Sequence, residues 1–310
     1  MTLASPHLRA RHYAGYVALC CIWGSTWLAI RVVVRDVPPL YAAALRFLLA
    51  AAILGVGMLA GRMRVPRKRS DWGIIAILGA TMLAIPFGLL FWAEQSITSS
   101  MTALLFSSLP LWVALFTPLM TGSVVPRRVI ACMVTASGGM IILFYVGIST
   151  TPRALLGGAA VLLAVVFSAW SSIFAKARIH HLPAVVSTAT QLVAGSLFLF
   201  AASFLLEDAS AARWNRNSLL ALLFLATFGS AAALAIYYWL LKQMAPYQLA
   251  LIGLIVPLVA MVEGALILQE PIPLMMWLAA ALVLCAVGFA LRPQPGEVTG
   301  LNLDSKIDAP

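Results

Sequence analysis

The sequence predicts an all-α integral membrane protein with ten transmembrane helices, arranged as two inverted five-helix repeats around a central cavity. Three observations predict this fold class: a composition too apolar for a water-exposed surface, ten apolar runs of spanning length, and an internal repeat at a constant offset. The repeat and the number of runs also set the relative orientation of the halves. An odd number of spans in each copy reverses the direction of the second copy.

The composition excludes a water-soluble protein of this size. Hydrophobic residues make up 63% of the 310 residues, charged residues make up 10%, and the mean hydropathy is +1.00. A soluble domain carries roughly 25% charged residues to cover its surface. A surface in contact with the lipid bilayer needs no such cover. The net charge of +10 lies in short loops between apolar runs, which indicates topology signals and no nucleic-acid partner.

Ten apolar runs have the length that a helix needs to cross the hydrocarbon core, about 20 residues. The runs are 13–34, 40–60, 72–93, 101–120, 128–146, 155–177, 184–206, 217–240, 248–268 and 273–291. They divide the chain into a cytoplasmic N-terminal segment 1–12, a first five-helix repeat 13–146, a second repeat 155–291 and a cytoplasmic tail 292–310. The tail is polar and rich in Gly and Pro, which predicts disorder.

An internal repeat relates the two halves of the chain at an offset of 147 residues. Five identities share this single register, which favours duplication over coincidence. With five spans in each half, the two copies cross the membrane in opposite senses. The matching pairs are Trp23 and Trp170, Arg31 and Arg178, Trp92 and Trp239, Pro110 and Pro257, and Pro126 and Pro273.

Basic residues predict the orientation, because cytoplasmic loops retain Lys and Arg. With the N-terminus inside, loop 61–71 lies in the cytoplasm and carries five Lys or Arg. The corresponding loop 207–216 then lies outside and carries two acids and two Arg. The basic charge of one loop and the mixed charge of its counterpart place the two loops on opposite sides of the membrane, as inverted repeats require. We therefore expect a multi-pass protein of the bacterial inner membrane with both termini in the cytoplasm.

The sequence contains no motif of a hydrolase, a nucleotide-binding loop or a metal site. Ionisable residues are scarce in the spans, whereas proton transfer or hydrolysis needs paired ionisable groups within reach. We expect no enzymatic activity, no catalytic residue, no metal and no cofactor. The alternatives to a carrier are a lipid-modifying membrane enzyme, which needs an ionisable cluster at one interface, and a channel, which needs a pore ring.

Prolines inside three spans are candidate hinges: Pro86 in span three, Pro110 in span four and Pro257 in span nine. A proline within a helix lacks the N–H that would bond the carbonyl four residues earlier. In transporters such breaks supply a hinge and substrate contacts near the bilayer centre. Kinks that serve helix packing alone are the alternative interpretation.

Two charged residues, Arg46 and Glu263, are predicted inside the membrane away from the span ends, both on the order of 8 Å below the outer surface. Arg46 either binds a substrate carboxylate or is neutralised by Glu263 or Glu94. Snorkelling of the Arg46 side chain to the interface is a further interpretation. Glu263, and after it Glu94, is a possible proton site.

Three segments of the chain resemble a known family in their order and spacing. They are Trp23-Gly24-Ser25-Thr26-Trp27 with the following residues to Arg31, Ala43-Ala44-Leu45-Arg46-Phe47, and Gly253 to Pro257 continuing to Gln269-Glu270-Pro271. The chain resembles the drug/metabolite transporter superfamily, in particular its ten-helix EamA-type members, and among these the YddG-type bacterial exporters of aromatic and other amino acids. Val256 and Gln269 depart from the Glu and Gly of many members, so a carboxylate role at position 256 is not carried over.

The resemblance implies alternating access to a central cavity between two inverted repeats, lined by spans one, three, four, six, eight and nine. We therefore expect a secondary transporter that exports amino acids, aromatic ones included, or related small metabolites; the alternative is an exporter of drugs or other hydrophobic metabolites. A small-molecule substrate and a monomeric state are expected. The candidate cavity residues are Trp23, Ser25, Thr26, Ser107, Ser108, Trp112, Trp170, Ser172 and Tyr237, with Arg46 added as above.

Overall fold

The computed structural model describes residues 6–144, 151–268 and 274–291, and the regular elements in these ranges are all helical. The predicted disordered tail 292–310 lies outside them. The α-helices are α1 (Pro6–Val33), α2 (Pro39–Ala60), α3 (Arg69–Leu78), α4 (Ile85–Ala93), α5 (Ser99–Phe106), α6 (Leu109–Thr121), α7 (Arg127–Phe144), α8 (Pro152–Arg178), α9 (Ala184–Leu206), α10 (Arg216–Ala226), α11 (Ala233–Gln243), α12 (Pro246–Ala250), α13 (Ile252–Leu268) and α14 (Leu274–Ala290). A 3-10 turn covers Ala209–Ala211.

Within the described ranges, eight helical stretches are long and apolar enough to cross a membrane. They correspond to predicted spans one to four and six to nine. Helices α7 and α14 occupy the positions of spans five and ten, with 18 and 17 residues respectively. The prediction of a multi-pass, all-helical membrane protein is confirmed, whereas the count of ten spans is not.

Spans three and eight each contain a π-helical segment in the middle of the membrane helix. The segments are Gly79–Ala84, between α3 and α4, and Thr227–Ala232, between α10 and α11. A π turn inserts one residue into the α-helical pattern, so the side chains after it are rotated about the helix axis. Each segment packs on a helix of the other half: the first on α9 and the second on α2.

The two halves pack together through corresponding helices. Helix α2 packs on α9, and α7 packs on α14. Helix α1 packs on α13, and the corresponding pair, α8 and α6, is also in contact. Glycines allow the closest approaches: a Cβ atom on Gly24 would lie 2.5 Å from Val259 Cγ1, and one on Gly79 would lie 2.5 Å from Ala194 Cβ.

The candidate hinge prolines differ in their local structure. Span four is interrupted between α5 and α6, and Pro110 lies in the first turn of α6. Pro257 instead lies inside the continuous helix α13, and the interruption of span nine is at Leu251. Pro86 lies in the first turn of α4, directly after the first π-helical segment. The hinge role of these prolines stays a prediction.

Side chains between spans tie the halves together at both ends of the bundle. Glu207 after α9 accepts hydrogen bonds from the first-turn amides of α2, at Leu40 (2.8 Å) and Tyr41 (3.0 Å). At the other end, His181 Nε2 lies 3.4 Å from an Asp71 carboxylate oxygen. These contacts fix the loops around the central space between the halves.

Candidate functional site

A cavity of about 100 Å³ lies where helices of both halves meet. Its walls come from α1, α2, the first π-helical segment, α4, α5 and α6 of the first half, and from α8, α11, α12 and α13 of the second. A single water needs roughly 10–15 Å³ of such space, so a bound molecule of roughly seven to ten non-hydrogen atoms fits. Five lining residues are aromatic: Trp23, Trp27, Phe87, Phe106 and Tyr237.

Arg46 is the one Lys, Arg, Asp or Glu among the described residues that line this cavity. Its side chain is only 1% exposed. The Nε group donates to Ser230 Oγ at 2.6 Å, and Nη2 donates to the Gly229 carbonyl at 3.0 Å. The guanidinium carbon lies 4.9 Å from the Phe87 ring centroid. Nη1 is buried without a hydrogen-bond partner in the described structure.

The second π-helical segment supplies both acceptors of Arg46. The Gly229 carbonyl also accepts a long hydrogen bond of 3.4 Å from Trp23 Nε1. Position 229 has to be glycine here, because a Cβ atom would lie 2.8 Å from Thr26 Cγ2 and 3.2 Å from Arg46 Nη2. The segment therefore fixes one face of the cavity by joining span eight to spans one and two.

The two tryptophans of span one have different hydrogen-bonding states. Trp23 bonds the Gly229 carbonyl, and its ring lies 5.6 Å from that of Tyr237 between centroids. Trp27 packs edge-on against Phe106 at 5.7 Å, but its Nε1 is buried without a partner among the described atoms. Arg46 and Trp27, which both line the cavity, therefore each have a buried N–H without a partner in the described structure.

Half of the predicted substrate-binding residues line the cavity. Those that do are Trp23, Thr26, Arg46, Ser172 and Tyr237. Those that do not are Ser25, Ser107, Ser108, Trp112 and Trp170. Their substrate contact stays a prediction that this conformation does not support.

The side chains outside the cavity wall have local partners instead. The hydroxyls of Ser107 and Ser108 donate to carbonyls three residues earlier, at 2.6 and 2.7 Å, where α5 ends. The Trp170 ring stacks on Phe174 at 4.8 Å, and Trp112 lies 6.0 Å from Phe116 between centroids. These rings fill space between helices.

The expected ion pair of Arg46 with Glu263 or Glu94 is not formed in the described structure. Glu263 accepts a hydrogen bond from Ser25 of α1, and Arg46 is directed to the π-helical segment of span eight. Glu94 is 0% exposed and accepts from Ser99 at 3.1 Å. Neutralisation by either carboxylate stays a prediction. In this conformation the partners of Arg46 in the described structure are the Ser230 hydroxyl, the Gly229 carbonyl and aromatic rings.

Several cavity residues were not among the sequence candidates. Trp27 lies one helical turn after Trp23, and Ser168 lies one turn before Ser172, so a spacing of four residues places each pair on one helix face. That signal is present in the sequence. No local signal identifies Gly229 and Ser230, because their role depends on the π-helical turn and on the distant Arg46.

Comparisons with known proteins cover nearly the whole chain. The profile of the EamA-like transporter family matches twice, over residues 13–145 and 155–292. The uncharacterized transporter YoaV of Bacillus subtilis is 25% identical over 276 residues, which cover 88% of this chain and 94% of that protein. The uncharacterized inner membrane transporter YedA of Escherichia coli K12 is 28% identical over 279 residues, 89% of either chain.

A solved crystal structure has the same fold, with a TM-score of 0.77 and 18% identity, covering 91% of this chain and 96% of the other. The names of the two relatives describe transporters and not enzymes. Since one family profile covers both halves, this multi-pass membrane protein belongs to the EamA-like transporter family.

Proposed function

We propose that the protein is a secondary transporter that exports amino acids, aromatic ones included, or related small metabolites across the inner membrane by alternating access. The observation that carries this proposal is the aromatic cavity that the two halves build jointly. A solute bound between two halves becomes accessible from either side when one half moves relative to the other. A cavity within one half would lack this property.

Inverted five-helix repeats are part of the proposal. Corresponding helices pack across the halves, spans three and eight both contain a π-helical segment, and the family profile matches twice. The opposite charge of corresponding loops supports opposite directions of the two copies. Such a pair of repeats has two related conformations, one open to each side, which is the basis of alternating access.

The lining of the cavity supports a small solute with an apolar or aromatic body. Aromatic rings favour stacking, and the hydroxyls of Thr26, Ser168 and Ser172 offer weaker polar contacts. The volume suits a branched-chain amino acid, and a phenyl or indole side chain needs the wider cavity of another conformation. Export of drugs or other hydrophobic metabolites is the second candidate, favoured by the mostly apolar wall.

Counterflow into proteoliposomes tests the transport proposal. Vesicles containing the purified full chain are loaded with an unlabelled amino acid, and uptake of the same labelled amino acid is followed. We expect a transient, saturable accumulation that protein-free vesicles lack, because a carrier exchanges solutes through one alternating site. Exchange of hydrophobic drugs but of no amino acid would favour the second candidate, and unsaturable flux would indicate a channel.

A further inference from the structure

Two residues in the wall of the central cavity each have a buried N–H group without a partner in the described structure. Arg46 Nη1 and Trp27 Nε1 both lack a hydrogen-bond acceptor in the described structure. Their side chains are 1% and 7% exposed, and both belong to the cavity wall. Buried polar groups in native proteins are almost always paired. Two unpaired donors on residues that line one cavity therefore indicate a ligand that supplies the acceptors.

The chemistry of the two groups restricts that ligand. A guanidinium and an indole nitrogen donate hydrogen bonds and accept none. The described lining residues include Arg46 as a cation and no Asp or Glu to balance it. A ligand group with acceptor oxygens and one negative charge therefore satisfies both donors and the charge together.

We infer that Arg46 and Trp27 anchor the carboxylate of the substrate, and hence that the substrates are organic monocarboxylates with an aromatic or branched apolar body. The inference rests on the proposed transport function, whose cavity it specifies. Amino acids bind through their carboxylate, and organic amines without a carboxylate are excluded by the charge of Arg46.

The single positive charge of the described cavity wall favours a carboxylate over a phosphate. Arg46 already uses Nε and Nη2 to bond Ser230 and Gly229, which leaves Nη1 as its unpaired nitrogen in the described structure. Trp27 contributes one more donor. A phosphate dianion brings two negative charges against the single positive charge of Arg46, whereas a carboxylate brings one charge and two acceptor oxygens.

Four phenyl compounds with different polar groups test the charge preference: 3-phenylpropionate, phenylalanine, 3-phenylpropanol and phenethylamine. Their affinity for the detergent-purified full chain is measured by titration calorimetry, and their counterflow is measured in proteoliposomes. We expect 3-phenylpropionate and phenylalanine to bind at least roughly tenfold more tightly than the alcohol and the amine, because hydrogen bonds to a charged group are the stronger ones.

Trp27→Phe tests the role of Trp27 as an anchor, because it removes no side-chain hydrogen bond that the ligand-free protein makes in the described structure. Phenylalanine keeps an aromatic ring against Phe106 and lacks only the unpaired N–H. We expect roughly tenfold weaker binding of 3-phenylpropionate, unchanged binding of 3-phenylpropanol and an unchanged unfolding temperature. Trp92→Phe is the matched control, since Trp92 is 39% exposed on α4 and lies outside the cavity wall. Its binding of all four compounds should equal that of the unaltered chain.

The outcomes separate the anchor from the transport function. Saturable counterflow with equal affinity for all four compounds would overturn the anchor and leave the carrier intact. Binding of 3-phenylpropionate that depends on Trp27 but gives no counterflow would keep the anchor and overturn the carrier. Failure of both carboxylates to bind, or an unaffected Trp27→Phe variant, would overturn the anchor as described.

Discussion

Arg46 retains its charge in a membrane-embedded core because dipoles and rings replace water around it. Ser230 and Gly229 each accept one hydrogen bond from the guanidinium, and Phe87 faces it at 4.9 Å. Ionised groups within a membrane require such partners, and those that keep unused donors mark functional sites. The cavity is therefore positively charged at one point and apolar over most of its wall.

Ser230→Ala tests how much the hydrogen bond from Arg46 Nε to the Ser230 hydroxyl stabilises the fold. The change leaves the buried Nε without its acceptor and should lower the free energy of unfolding by about 1–3 kcal/mol. Thermal unfolding in detergent measures the effect. Ser196→Ala is the control, because the Ser196 hydroxyl is equally buried but has no partner in the described structure. Equal destabilisation by both changes would contradict this role of Ser230.

The ends of spans three and eight are held by equivalent contacts. Arg31 of α1 donates to the carbonyls of Glu94 and Ile97, the latter at 2.9 Å, just after α4. Lys176 of α8 donates to the carbonyls of Leu241 and Lys242, at 2.6 and 2.9 Å, at the end of α11. A cation on the first helix of each half thus satisfies the free carbonyls that end the third span of the same half.

The first π-helical segment packs on α9 so closely that a methyl group cannot be added at the contact. Gly79→Ala places a Cβ atom 2.5 Å from Ala194 Cβ and 3.0 Å from the Gly195 amide nitrogen. Backbone cannot yield as a flexible side chain does, so we expect a loss of about 1–3 kcal/mol in unfolding free energy. Denaturation in detergent measures this loss.

Gly73→Ala is the matched control for the packing prediction. Gly73 also lies in span three, but no atom is within 4 Å of its Cβ position. Alanine favours the helix by about 0.8–1.0 kcal/mol relative to glycine, so this variant should be more stable than the unaltered chain. A stabilised Gly79→Ala variant would show that the contact between the π-helical segment and α9 is looser than described.

At the scale of the whole molecule, the two halves form one structure with a shared cavity. Helix α2 packs on α9 and α7 on α14, while Asn215 Nδ2 donates to an Asp36 carboxylate oxygen at 2.6 Å between loops of different halves. Neither half encloses the cavity alone, because its wall alternates between helices of the two. Under the proposed alternating access, we expect motion of one half relative to the other to change the access to Arg46 and Trp27.

Cysteine labelling tests the inverted arrangement. Val65→Cys and Ala211→Cys are exposed, uncharged positions in the corresponding loops of the two halves, introduced singly after replacement of the four native cysteines. A membrane-impermeant maleimide added to intact cells should label Ala211→Cys but label Val65→Cys only after permeabilisation, because we expect the basic loop to lie inside. Labelling of both positions from the same side would contradict inverted repeats.

Much of the candidate site follows from residues that the sequence already singles out. Trp23, Thr26, Arg46, Ser172 and Tyr237 lie on the cavity wall, because they are polar or aromatic residues on helices that meet at the centre. The serines at the break in span four lie outside the cavity wall in this conformation, and their substrate contact stays a prediction. Their hydroxyls donate to carbonyls of the preceding turn, and the sequence does not distinguish that use from a contact with substrate.

The sequence by itself determined the membrane class, spans one to four and six to nine, and the offset that relates the halves, because hydropathy and run length are local properties of the chain. Only the tertiary structure decided which helix faces meet at the cavity. A π turn shifts the helical phase without a sequence signature, and it directs Gly229 and Ser230 to an arginine more than 180 residues earlier in the chain. The unpaired donors of Arg46 and Trp27 likewise become visible only when every neighbouring acceptor is in place.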